Sequence, residues 1–389
     1  MAAVSRSVFR GGTFLDPERG ELQGWSLLVA GERIEALLVP GQPAPPDAQP
    51  VELAGRALAP GFIDIHFHGA TVFDALSEPG ASLRQDSASI MRHGGTAFLA
   101  TTIALDRREL AQRVEGLAKA VSELPSDAGA SVLGIHLEGP WISADAPGAQ
   151  PRQAIRGYDA AEGREVLDRG AGLVRMVTLA PEVPGAAALV DELVRRDVLP
   201  ALGHTKADAE TASRGFERGV RHATHLYNAM GSFHHREPGA IGAVLGDDRV
   251  SCDLICDGIH VHPAAVRAAA RAKGERLLLI TDRIDPHEPG TGALGGAALS
   301  ADGPVWRLPD GTLAGSRLAM AEAVRNATAF GALTRLAAVA AATLAPARLL
   351  GVESERGTLR PGARADLVVL ERDGAPAETW LAGRRAWSR

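Results

Sequence analysis

From residue 61 onward, short apolar runs alternate with alanine-rich amphipathic segments, and the alternation repeats eight times. The runs are GFIDIHFHG, TAFLATTIA, ASVLGIHLEG, LVRMVTLAPE, VLPALGHT, RHATHLYNA, VSCDLICDG and LLLITDR. Between most of them lie stretches with helical spacing, such as LAQRVEGLAKAVSEL, AALVDELVRRD and PAAVRAAARAKG. Eight strand–helix units argue for an α/β fold of the (β/α)8 TIM-barrel type, which fills about 250 residues as one core.

The two ends read differently. Residues 1–60 break into strand-like pieces, SVFRGGTFL, GWSLLVAGERIEALL and VELAGRALAP, separated by turn residues and the proline-rich GQPAPPDAQP. Residues 352–389 return to strands in RADLVVLERDG and ETWLAGRRAW. The expected organisation is a barrel over 61–351 and one small β domain built from 1–60 together with 352–389. A hydrophobic content of 46% is enough for a large core.

Several function classes drop out. The net charge of −6, with mixed signs, offers no basic field for a nucleic-acid backbone. No run of about 18 uncharged apolar residues suggests a membrane span, and MAAVSRSVFRGG has no apolar stretch of signal-peptide length. Cys252 and Cys256 form neither a CxxC pair nor a disulfide framework, so they read as buried apolar residues in a reducing compartment, and the expected location is the cytoplasm. There is no G-x-x-x-x-G-K-[ST] loop, G-x-G-x-x-G fingerprint or G-x-S-x-G elbow, which leaves a nucleotide cofactor or serine nucleophile unsupported.

Polar residues collect at the C-terminal ends of the runs. The first ends in His66 and His68, the third in Glu138, the fifth in His204 and the eighth in Asp282; the sixth carries His225. Any one of them could be a packed strand end, a turn or a helix cap. Barrel active sites, however, form at that end from several strands at once, so six such side chains would share one mouth. His66 and His68 point the same way, since a strand alternates faces and rises about 3.3 Å per residue. Imidazole and carboxylate without thiolate suit Zn²⁺ or another borderline divalent metal, with Fe, Mn or Co also candidates. Such an ion lowers the pKa of a bound water from 15.7 to about 7. Asp282 is then the candidate proton shuttle. His136 shares the inward parity of Glu138 and is a candidate outer donor, and His260, in DGIHVHP, borders the mouth and could polarise a substrate carbonyl.

These stretches resemble the N-acetylglucosamine-6-phosphate deacetylases, a family of the amidohydrolase superfamily. The likeness runs almost end to end through APGFIDIHFHG, GIHLEGPWIS, LGHT, THLYNAM with REPG, CDGIHVHP, LITD, GTLAGS and GTLRPGARADLVVL. It implies a barrel with a small β-sandwich from both termini, a homodimer, and hydrolysis of the N-acetyl group of a 6-phosphorylated amino sugar to acetate and the free amine. It also implies one or two divalent metals per subunit. Glu138, His204 and His225 match the ligands present throughout the family; His66 and His68 match the extra pair of two-metal members, with Glu138 as the bridge. Asp282 matches the catalytic acid/base and His260 the residue at the substrate carbonyl. Arg236 matches the phosphate-binding arginine, which in this family can come from across the dimer. Ala149, Asn228 and Ala229 match sugar contacts, with Gln150 beside them. Leu313, Ala314, Gly315 and Ser316 match a loop over the substrate.

Two positions depart from the pattern. Gln150 stands where the family usually has histidine, and Arg283 follows Asp282 where a small residue is usual; strand parity turns Arg283 toward the helices. The reaction class is unaffected, but the preferred sugar is left open between N-acetylglucosamine 6-phosphate and a relative such as N-acetylgalactosamine 6-phosphate. An N-acyl amino-acid deacylase would have no use for Arg236, and a sugar-phosphate sensor without turnover would have none for Asp282.

Overall fold

The computed structural model describes residues 5–73, 79–286 and 293–389. Its centre is a ring of parallel strands, β1 (Phe62–Gly69), β2 (Gly95–Thr102), β3 (Ser131–Glu138), β4 (Val174–Leu179), β5 (Leu199–Leu202), β6 (His222–Ala223), β7 (Ser251–Ile255) and β8 (Leu277–Ile280). Each pairs in parallel with the next. All eight expected runs supply a strand. They read as near-continuous apolar stretches because both of their faces are covered: every residue of β1, β2, β7 and β8 is buried. His222 begins β6.

The intervening helices bury one stripe each. In Arg107–Glu123 the stripe is Leu110, Val114 and Leu117, three to four residues apart, and Asp106 caps the start by accepting the N–H of Glu109. Asp159 and Asp208 cap Ala160–Arg169 and Ala209–Arg218 in the same way.

The ring closes through a break. After Ile280 the chain leaves the ladder for two residues and resumes as β9 (Arg283–Ile284), which pairs with β1 through Arg283 and Phe67. Asp282 lies in the break, and its N–H donates to His66 O at 2.9 Å. Buried Asp64 fastens the same seam. Thr281 Oγ1 donates to its Oδ2 at 2.5 Å, and the N–H groups of His66 and Thr281 donate to Oδ1. Burial pushes the Asp64 carboxyl up to about 6.

The chain ends meet beneath the barrel. Thr13–Asp16, Gly20–Gln23 and Ala57–Pro60 form one six-stranded sheet with Leu367–Leu370, Pro376–Leu381 and Arg384–Ser388. A four-stranded sheet of Arg6–Arg10, Ser26–Ala30, Arg33–Leu38 and Gln49–Glu52 packs on it around Phe9, Phe14, Leu27, Ile34, Leu58, Leu367 and Trp380. This is the small β-sandwich expected from both termini.

Residues 293–316 differ from expectation. Leu313–Ser316 is a strand, not a loop. It pairs with β9 and with Val305–Arg307, extending the barrel sheet outward. Alanine, glycine and serine there carry no alternating pattern, so only the neighbouring strands reveal the pairing.

The turn after β1 is tightly specified. Gly69 has φ +60°, and a Cβ there would stand 2.4 Å from the Asp86 carboxylate. That carboxylate accepts the N–H groups of Ala70 and Thr71 and the Thr71 hydroxyl. Gly69→Ala should therefore destabilise the protein by about 3 kcal/mol or more, from the left-handed backbone plus the displaced carboxylate. Thermal unfolding reads the loss, and an unchanged midpoint would contradict this account of the turn.

Candidate active site

A cavity of about 230 Å³ opens at the C-terminal end of the barrel. His68, Glu138, His204, His225, His260 and Asp282 line it, with Ala149, Gln150, Asn228, Ala229, Leu313 and Gly315. His66 lies just below, fully buried. Six polar side chains from the ends of five barrel strands are thereby brought together with His260 from the loop after β7.

Glu138 is the centre. Its Oε1 is 3.0 Å from His204 Nε2, 2.8 Å from His225 Nε2 and 3.5 Å from His66 Nε2. Its Oε2 is 3.3 Å from His68 Nε2. Asp282 Oδ1 stands 3.1 Å from His68 Nε2 and 3.4 Å from His66 Nε2. Two clusters result, His66–His68–Asp282 and Glu138–His204–His225, each with its ligand atoms within 4.8 Å of one another. Glu138 lies between them.

The backbone is bent to aim these groups. His204, His225, Ala229 and Asp282 have φ of +47°, +32°, +49° and +50°. Non-glycine residues occupy that region at a cost of order 1–3 kcal/mol each, and such strain gathers where a side chain must be re-aimed. Contacts behind the rings fix their orientation. His68 Nδ1 meets Thr101 O at 3.2 Å and His204 Nδ1 meets Ala146 O at 3.0 Å, so each ring is held with Nδ1 donating to a carbonyl and Nε2 turned into the site. The His225 N–H is held by Asp253 Oδ1, whose Oδ2 binds His222 Nε2 at 2.8 Å.

Charge is shared across the cluster. Burial would raise the Glu138 carboxyl, but the charge of His66 and hydrogen bonds from His204 and His225 hold it well below its ordinary value. Burial likewise opposes ionisation of Asp282, and His66 and His68 overcome it, so its carboxyl also lies below its ordinary value. Burial disfavours a charged His68, yet Asp282 and Glu138 bring its pKa up to about 10. The pocket thus attracts positive charge strongly enough to hold a proton on a buried imidazole.

A cation fits better than protons. His66 and His68 set their Nε2 atoms 3.3 Å apart, and His204 and His225 theirs 3.2 Å apart. Each pair stands beside a carboxylate oxygen, and imidazole nitrogens with carboxylate oxygens are the donor set of a borderline divalent ion. The residues present therefore suit a metal in either cluster.

Other positions fall less simply. His136 touches neither carboxylate; its Nε2 meets Thr178 Oγ1 at 2.8 Å, its ring packs edge-on under His66, and burial keeps it neutral. His260 gives Nδ1 to Asp257 Oδ2 at 2.6 Å and leaves Nε2 buried without a partner at the cavity wall. Strand alternation divides the 313–316 segment: Leu313 and Gly315 line the cavity, while Ala314 and Ser316 do not. Ser316 Oγ instead donates to Thr281 O. Arg283 turns away from Asp282 and pairs with Asp285 at 2.8 Å. Arg236 is exposed on the loop after Met230 and does not reach the cavity of its own chain. Among the described residues no lysine or arginine lines that cavity.

Sequence reading missed Asp257, the acid three residues before His260 in DGIHVHP. Ile103, Ile255, Ile284 and Leu294 also line the cavity. Nothing in their local sequence separates them from core residues.

Residues 57–386 match the Amidohydrolase family. The chain is 39% identical over 326 residues to N-acetylglucosamine-6-phosphate deacetylase of Bacillus subtilis (strain 168), covering 82% of each chain. It is 33% identical over 371 residues to N-acetylgalactosamine-6-phosphate deacetylase of Escherichia coli O157:H7, covering 95% of this chain and 96% of that one. A mutant N-acetyl-D-glucosamine-6-phosphate deacetylase of Mycobacterium smegmatis, solved in complex with N-acetyl-D-glucosamine-6-phosphate, superposes with a TM-score of 0.89 at 35% identity, over 99% of this chain and 100% of that one.

Proposed function

Because the chain belongs to the amidohydrolase family, we propose a division of labour among its own residues for the reaction after which most of its relatives are named. That reaction is hydrolysis of the N-acetyl group of N-acetylglucosamine 6-phosphate to glucosamine 6-phosphate and acetate. The observation that carries the assignment of roles is the convergence of Asp282, Glu138 and four imidazoles at one end of the barrel, all but His66 on the cavity wall.

A bound divalent ion, zinc in our reading, supplies Lewis acidity and makes a water molecule acidic enough to attack at neutral pH. Glu138, His204 and His225 would hold one ion, and His66 and His68, next to Glu138, would hold a second. Asp282 takes the attacking water's proton and returns it to the nitrogen as the amide C–N bond breaks, so the amine leaves neutral. His260 presents Nε2 to the acetamide carbonyl, steadied from behind by Asp257. Ala149, Asn228 and Ala229 hold the sugar.

The phosphate needs a cation, and among the described residues none lines the cavity of one chain. Arg236 of a second copy would supply it in a homodimer, and Phe233, 57% exposed on the same loop, offers apolar surface to that copy. No helix among the described residues is long and apolar enough to cross a membrane; we place the enzyme in the cytoplasm, acting on a small amino-sugar phosphate.

Likeness to the galactosamine-specific relative favours one second reading, N-acetylgalactosamine 6-phosphate as substrate. Acetate release from both sugar phosphates and from unphosphorylated N-acetylglucosamine, beside elemental analysis of the purified protein, decides the matter. N-acetylglucosamine 6-phosphate should be hydrolysed best. A chelator should abolish release, and added Zn²⁺ should restore it. Equal turnover with and without the phosphate would remove the role given to Arg236, and full activity after complete metal removal would remove the metal.

A further inference from the structure

Gln150 is 7% exposed, and its amide has one orientation that satisfies its surroundings. The backbone N–H of Ala104 points at Oε1 from 2.7 Å, and only an acceptor can face that donor. Nε2 is therefore the atom 2.5 Å from Glu138 Oε2. The amide thus grips one oxygen of the carboxylate, the one that faces His68, while Oε1 faces His204 and His225.

Glu138 could serve an ion at His204 and His225 in two ways. It could give Oε1 alone, or rotate and give both oxygens. The second choice leaves nothing for His66, His68 and Asp282. Rotation would break a buried charge-assisted hydrogen bond and strand the Gln150 N–H, so the amide favours the first. A carboxylate oxygen has two lone pairs; with one taken by Gln150, the other stays available on the His68 side.

We propose that Gln150 is a positioning residue that keeps Glu138 shared between the two clusters, so that each chain holds two ions rather than one. The proposal rests on reading both clusters as metal sites. Gln150 acts through Glu138 and not on the reacting atoms.

The test is metal stoichiometry in the intact protein, by elemental analysis after dialysis and by calorimetric titration of Zn²⁺ into chelator-stripped protein. The parent should take up two ions per chain. Gln150→Met keeps the length of the side chain and removes the donor; it should fall to one ion per chain, with the weaker site's Kd raised roughly 10–100-fold and the tighter site unchanged. Gln150→Leu is a second donor-free variant should the first not fold. Gln150→His can accept from Ala104 with one ring nitrogen and donate to Glu138 with the other, and should restore two. Two ions of parental affinity in folded donor-free variants would overturn the proposal, as would a single ion in the parent. A parent that binds no ion would instead overturn the reading of the clusters as metal sites, and this proposal with it.

Discussion

Asp282→Asn should lower kcat by about 10²–10⁴-fold, the range for loss of a positioned proton carrier, with metal content and fold retained. Asparagine preserves the shape and an oxygen toward His66 and His68, and it tolerates the φ of +50° that this position requires. What it cannot do is accept a proton. In the parent the flanking histidines keep the carboxyl below its ordinary value despite burial, so it is ionised and ready at neutral pH. Single-turnover acetate release, with elemental analysis of the same sample, separates lost chemistry from lost metal. A variant that turns over N-acetylglucosamine 6-phosphate at the parental rate would end the role given to Asp282.

Arg236→Ala should lower kcat/KM for the sugar phosphate by about 100-fold, the value of a bidentate guanidinium–phosphate contact, and leave unphosphorylated N-acetylglucosamine unaffected. Its exposed position outside its own chain's cavity gives a sharper experiment. Asp282→Asn and Arg236→Ala subunits, each nearly inactive, can be co-assembled. If Arg236 acts across a two-fold dimer, about half the dimers are hybrids. Each hybrid has one intact site, so about one quarter of parental activity returns. If Arg236 serves its own chain, every site carries one lesion and nothing returns.

Much of this architecture was legible because barrel strands are covered on both faces, so each announces itself as an apolar run, and because the polar residues that matter interrupt those runs at one end. GFIDIHFHG, HLEGP, LGHT and LITD show the principle. What was not legible depends on contacts remote in sequence. Sequence alone sets Gln150 beside the sugar; that its amide also holds Glu138 and the Ala104 N–H rests on contacts far apart in the chain. Ile103, Ile255 and Ile284 look like core residues because they are, except that one side of each meets the cavity. The Leu313–Ser316 strand is short and mostly small-residued, and only its pairing with β9 and Val305–Arg307 gives it an alignment. Whether Arg236 serves its own chain or a second copy leaves no spacing signal in one sequence.

The closing seam has a consequence for how the enzyme comes into being. Asp282 follows His66 by more than two hundred positions, yet the two are joined by a backbone hydrogen bond where the last barrel strand meets the first. A growing polypeptide therefore carries its histidine pair for most of its synthesis without the acid that completes it. Only when the stretch through Ile284 has emerged and paired with β1 does the ring acquire Asp282. If Asp282 carries the proton, fragments released early, however well they fold, would be inert toward acetamides, and the topology would delay the onset of activity until the barrel is shut.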